Sequence, residues 1–185
     1  SQQFQLLSGT SRIDLGFDND VTWEINPLEV LKRFGIAPWT DESYRLIDEG
    51  DLCFDYLRIR HFNPLLPHGN SYFCLAYDRT GVRKVWRVEG DLDAIETRIQ
   101  GLVDLTSNKR AQSAVPDFDA AYTEECAWFL DTFVRPGLKS AGDVRRLLIC
   151  PDGPLNFVPF GALMDGDGRL LLEKYVVTRM PTVRM

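Results

Sequence analysis

Histidine is scarce in this chain: two residues in 185, His61 and His68, both in one proline-rich stretch. A general base or a histidine-rich metal site therefore has very little to draw on. Positive charge is also short. Lys and Arg number 21 against 27 Asp and Glu, for a net charge of −6, which argues against a protein that binds nucleic acid through its phosphate backbone. The pairs Arg83–Lys84, Lys109–Arg110 and Arg145–Arg146 read as solvated ends of strands and loops. No apolar run approaches the ~20 residues needed to span a bilayer, and no charged region followed by an apolar one opens the sequence. A cytoplasmic protein without a membrane partner is expected. Internal repeats and low-complexity tracts are missing too, so no tandem helical-repeat array lies within the chain.

Four cysteines are present (Cys53, Cys74, Cys126 and Cys150). An even count raises the question of a disulfide framework. Their wide spacing inside apolar runs, without a secretory leader, favours buried free thiols. Cys53 with His61, or Cys74 with His68, could in principle form a nucleophile–base pair. A nucleophile needs access and an adjacent base, however, and both cysteines sit in predicted strands. The same four residues could be read as zinc ligands, but they lack the close C-x-x-C or H-x-x-x-H pairs of structural sites. No cofactor or metal is expected.

With 44% hydrophobic residues the chain can bury a core. Ser1–Thr22 is polar and reads as an arm or a single edge strand. Asn26 and Pro27 open a short helix carrying Leu28, Leu31 and Phe34, which Gly35 stops. A second short helix follows Pro38–Trp39, with Tyr44 and Ile47. Trp39 is the expected anchor of this unit on the main body, with a protein-docking role as the alternative. From Gly50 the period changes. Cys53–Ile59 reads as a strand, His61–Asn70 as a loop, Tyr72–Tyr77 as a strand buried on both faces, and Val82–Val88 as its hairpin partner with Trp86 facing inward. Asp91 caps a helix with the stripe Leu92, Ile95, Ile99, Leu102 and Val103. Ser107–Pro116 reads as a linker. Phe118–Leu138 follows as one long helix with Phe118, Tyr122, Cys126, Phe129, Leu130 and Phe133 inward, ended by Pro136–Gly137 and Ser140–Gly142. The order strands, helix, helix, strand, strand predicts an α/β fold, a mixed sheet flanked by helices.

The stretch Arg145–Tyr175 orders the rest. Leu147–Cys150 is a short apolar run that suits a buried strand. Pro151, Asp152, Gly153 and Pro154 stop it, since two of them lack an N–H and Gly153 can take positive φ. Leu155, Phe157, Val158, Phe160 and Leu163 form an apolar patch broken by Pro159 and Gly161. Asp165–Gly168 is a tight turn, and Leu170–Leu172 with Tyr175–Val177 starts another strand, in a hairpin-like return. Asp152 is expected to accept N–H groups within its own turn. Asp165 and Asp167 look like part of a calcium loop but lack its spaced ligands and closing Glu. Gly161 to Gly166 is not followed by Lys–Ser/Thr, so it is no phosphate loop.

This order of residues, with Pro151, Asp152, Gly153, Leu155, Pro159, Phe160, Leu163 and Tyr175 as its marks, resembles the CHAT domain. That family comprises caspase-like cysteine peptidases of the separase/caspase clan, often attached to TPR repeats. The resemblance is strong over Arg145–Pro181, weaker over Gly50–Leu138, and does not reach Ser1–Gly50. It implies a caspase-like fold in which the eight marked residues are structural. It also implies a His–Cys dyad downstream of this stretch, beyond Met185. The expectation is thus an N-terminal arm over 1–49, and over 50–185 the non-catalytic half of a peptidase. Its implied partners are the C-terminal catalytic half, on the same precursor or a separate chain, a protein substrate or regulator, and a TPR region. A regulatory or scaffolding module, receiving a partner at Trp23 and Trp39, is the alternative. An unrelated small α/β enzyme is a third.

Overall fold

A computed structural model describes residues 47–59, 70–107 and 116–180. The expected N-terminal arm and short helices, both histidines and the 108–115 linker lie outside the described residues. Within them, strands β1 (Asp51–Ile59), β2 (Ser71–Asp78), β3 (Gly81–Arg87), β4 (Arg146–Cys150) and β5 (Val176–Arg179) form one sheet in the order β3-β2-β1-β4-β5. The sheet is mixed: β1–β2–β3 is an antiparallel meander, while β4 runs parallel to both β1 and β5.

Alternation sorts the side chains to two faces. Leu52, Phe54 and Tyr56 of β1, Tyr72, Cys74 and Ala76 of β2, and Leu147 and Ile149 of β4 share one buried cluster with the helices. Cys53, Leu57, Phe73, Leu75 and Tyr77 form a second cluster, with Leu148 packed against it. Burial on both faces explains the near-continuous apolar runs of β1 and β2.

Helix α1 (Leu92–Ser107) starts where the Asp91 carboxylate accepts the Ala94 N–H at 3.0 Å. Its buried stripe is Leu92, Ile95, Ile99 and Leu102. Helix α2 (Phe118–Phe129) is capped in the same way by Asp117, which accepts from Ala120. Arg98 joins the two helices, with a 2.7 Å ion pair to Glu125 and its guanidinium 4.3 Å over the Trp128 ring.

The long second helix runs from Phe118 to Leu138 as expected, but its C-terminal part departs from a plain α-helix. α2 passes into a π-helical turn, Leu130–Val134, and then into α3, Arg135–Leu138, so Pro136 lies inside the helical run and does not stop it. Pro136 has no N–H for the carbonyl four residues back. That carbonyl, on Thr132, accepts the indole N–H of Trp86 at 2.9 Å. The next carbonyl, on Phe133, accepts the buried Tyr56 hydroxyl at 3.0 Å. Side chains from the sheet thus satisfy two backbone groups at the π turn. Gly137 lets α3 approach closely, because a Cβ there would lie 2.5 Å from Phe54 Cε1.

A second departure concerns the return to β5. Leu171–Lys174 is a short helical turn, α4, not strand, and β5 pairs with β4 in parallel, so the connection is a crossover and no hairpin. A parallel neighbour needs a long connection. The segment between β4 and β5 supplies it with two 3-10 turns, Gly153–Phe157 and Phe160–Ala162, and the tight turn at Asp165.

Candidate functional site

The segment from β4 to β5 begins at the C-terminal end of β4, beside the C-terminal end of β1. The chain leaves β1 toward β2 and leaves β4 toward β5, on opposite sides. In open α/β sheets this divergence opens a crevice at the strand ends. Here a polar clasp fills it. Asp152 Oδ2 accepts the backbone N–H of Arg58 at 3.0 Å, tying the end of β4 to β1. The Asp152 carboxylate thus reaches across to the neighbouring strand and does not cap its own 3-10 turn, contrary to the sequence reading.

Arg58 in turn forms a two-point ion pair with Glu96 of α1, with Nη2 to Oε2 at 2.9 Å. The Glu96 carboxylate raises the Arg58 pKa further, so the guanidinium stays charged. Above the pair lies Gly153 at φ +57°, where a Cβ would sit 2.7 Å from Arg58 Cδ and 3.4 Å from the Tyr72 hydroxyl. That hydroxyl is buried and has no hydrogen-bond partner among the described residues. Burial raises its pKa, so it is a neutral donor. Sequence reasoning missed Arg58, Glu96 and Tyr72 as a group. Nothing local marks them: Arg58 and Glu96 are 38 residues apart and meet only when α1 packs on the sheet.

The marked residues of the segment fall into two sets. Leu155, Phe160 and Leu163 are fully buried in the helix-facing core, and Pro151 is buried at the strand end. Phe160 stacks on Tyr56 with centroids 6.0 Å apart and meets Phe129 edge-on at 5.5 Å. Tyr175 packs partly against the same cluster. Pro159 and Gly153 act through the backbone instead: the Pro159 carbonyl accepts Ala162 N–H at 2.8 Å, and Gly153 supplies the left-handed turn. The Tyr122 hydroxyl of α2 donates to Ala162 O, fastening the segment to the helix. At its far end Asp165 Oδ1 accepts the N–H groups of Asp167 and Arg169, which with nearby Lys174 holds its pKa below the usual carboxylate value.

A family model for the CHAT domain matches residues 123–185. Over those residues the chain is similar to part of a CHAT domain, a caspase-like peptidase family. No curated protein matches the chain. The CHAT match takes in most of α2, the π turn, α3, β4, the clasped segment and β5. Strands β1–β3 and α1 lie before it yet belong to the same sheet and core. The five-stranded mixed sheet with flanking helices is an α/β fold compatible with the caspase-like architecture.

All four cysteines are free and buried. Burial pushes the thiols of Cys53 and Cys150 up to about 12 and raises those of Cys74 and Cys126, so each is protonated near neutral pH. Among the described residues no group of three or more His, Cys, Asp or Glu could hold a metal ion. No described helix is long and apolar enough to cross a membrane.

Proposed function

We propose that this chain is the non-catalytic, N-terminal half of a CHAT-type caspase-like cysteine peptidase, supporting a His–Cys dyad carried on a following segment or a separate chain. The observation that carries this reading is the state of the four thiols, Cys126 and Cys150 within the matched residues and Cys53 and Cys74 on the strands before them. They are buried and protonated, and none is placed to attack a peptide carbonyl. The parallel strand β5 is the outer strand of the described sheet, and Val176 on it is 63% exposed. A further strand added there would continue the parallel run β1–β4–β5 and complete the backbone pairing. In this reading the clasp of Arg58, Glu96 and Asp152 keeps the strand ends in register, and a protein substrate is handled by the catalytic half.

A second reading, a protein-binding module without catalysis, is favoured by the large apolar side chains left at the surface, Phe157 at 69% and Leu172 at 55% exposure. Under it the partner is a regulator, or a TPR region.

The test is proteolysis of a broad fluorogenic peptide set by the purified chain, together with intact-mass analysis of whatever co-purifies from the native context. The expected results are no hydrolysis by the chain alone, and a companion or continuing polypeptide that carries a His and a reactive Cys. Hydrolysis by the 185-residue chain that vanishes on replacing any one of its cysteines by Ser would overturn the first reading. A stable partner without a reactive Cys would favour the second.

A further inference from the structure

Helix α1 carries ion pairs that lead to different places. Arg98 pairs with Glu125 at 2.7 Å, which ties α1 to α2. Glu96 pairs with Arg58, and from there a series of polar contacts runs along the carboxyl ends of the parallel strands. The Arg58 N–H donates to Asp152 Oδ2 at 3.0 Å. The Arg58 side chain lies directly against the next residue, Gly153, where a Cβ would sit 2.7 Å from Arg58 Cδ. The Gly153 carbonyl accepts the side-chain N–H of Asn156 at 3.0 Å. The Asn156 carbonyl in turn accepts from the guanidinium of Arg179, the last residue of β5.

Each link after the Glu96–Arg58 pair engages backbone: the Arg58 N–H, the Gly153 backbone and carbonyl, and the Asn156 carbonyl. An apolar core contact can yield by a change of rotamer, whereas a side chain bonded to backbone carries the chain with it. The two-point pair fixes the direction of the Arg58 guanidinium as well as its distance from Glu96. Where α1 holds that guanidinium therefore decides how the Arg58 stem meets the left-handed turn at Gly153, at φ +57°.

We propose that this series is a relay. The placement of α1, through Glu96 and Arg58, sets the turn Gly153–Phe157 and, through Asn156 and Arg179, the carboxyl end of β5. A ligand or partner that shifts α1 then alters the outer parallel strand without touching it. The relay is a property of the described fold and stands whether or not the peptidase reading does.

Amide exchange of the whole chain, resolved by NMR, reads each station. Leu155 N–H donates to Asp152 O and Val158 N–H to Leu155 O at the turn, while Met180 N–H donates to Ile149 O beside Arg179. Val88 N–H, which donates to Tyr72 O, is the local control, because Tyr72 is the cross-strand partner of Arg58. Glu96→Gln should speed exchange at Leu155, Val158 and Met180 by about fivefold or more and leave Val88 within about twofold. Arg58→Lys keeps the charge but loses the two-point geometry, and should speed the same three amides with less risk to the fold. Glu125→Gln makes the same chemical change at the other ion pair and should leave Met180 unchanged. In an Arg179→Met background, Glu96→Gln should still speed Leu155 and Val158 but no longer Met180. A rise that includes Val88 equally would show general loosening and overturn the relay. So would a Met180 amide that ignores Glu96→Gln and Arg58→Lys, or that responds as strongly to Glu125→Gln.

Discussion

The two faces of the sheet are built from alternate residues of the same strands, yet they are different kinds of surface. The helix-covered face is aromatic and directional. Phe133 touches the rings of Tyr56, Tyr72, Trp128 and Phe129 at centroid distances of 4.8–6.0 Å, and Tyr56 and Trp86 also serve as donors to the π turn. The second face holds Leu57, Leu75, Cys53 and Leu148 with Phe73 and Tyr77, and is largely aliphatic. The comparison teaches that one face is fixed by shape and by polar tips together, whereas the other relies more on apolar area.

The largest test of that difference is Phe133→Ala. Removing the ring shared by four neighbours should cost about 3–5 kcal/mol in urea unfolding; a loss below ~1 kcal/mol would show that the aromatic cluster is dispensable. Next comes Gly137→Ala. The new Cβ would strike the Phe54 ring and come 2.9 Å from Ala76 Cβ, so a destabilisation of about 1–3 kcal/mol is expected, although alanine is the better helix former. Tyr56→Phe keeps the ring and removes only the donor to Phe133 O. It should cost about 1–3 kcal/mol by leaving a buried carbonyl unsatisfied, and equal stability would mean that the π turn needs no help from the sheet. On the second face, Leu75→Met should cost less than about 1.5 kcal/mol. A larger loss there would erase the contrast between the faces.

The smallest effect lies on neither face. Asp165 has its pKa lowered from 3.8 in the folded chain by the backbone N–H of Arg169 and by its other donors. A depressed carboxylate stabilises above its unfolded value and loses that contribution as pH falls through the folded one. Asp165→Asn should therefore lower stability slightly near pH 7 and flatten the acid limb, so that variant and wild type converge below about pH 4. Parallel acid titrations of the wild type and the variant would overturn the assignment.

Much of the fold was legible in local chemistry. The meander β1–β3 follows from aromatic and β-branched runs split by a turn, and α1 from its capping Asp91 and one apolar stripe. The order of residues from Arg145 to Tyr175 pointed to the CHAT domain, which the match over 123–185 supports. Three features were not legible. Pro136 read as a helix stop, because the indole that relieves it comes from a strand 46 residues earlier. The return to β5 read as a hairpin, since turn residues announce a reversal without saying which neighbour the chain will meet. Asp152 read as a local cap, because its partner Arg58 is 94 residues away.

The sequence by itself determined where strands and helices begin, which residues are apolar on each side, and that the thiols would be buried; these depend on neighbours within a few residues along the chain. Only the tertiary structure decided that β4 lies parallel between β1 and β5, that a π turn is stable above Tyr56 and Trp86, and that Arg58, Glu96 and Asp152 form one clasp. Each of these rests on groups far apart in sequence, whose backbone and charged atoms become satisfied only once the sheet has brought them together.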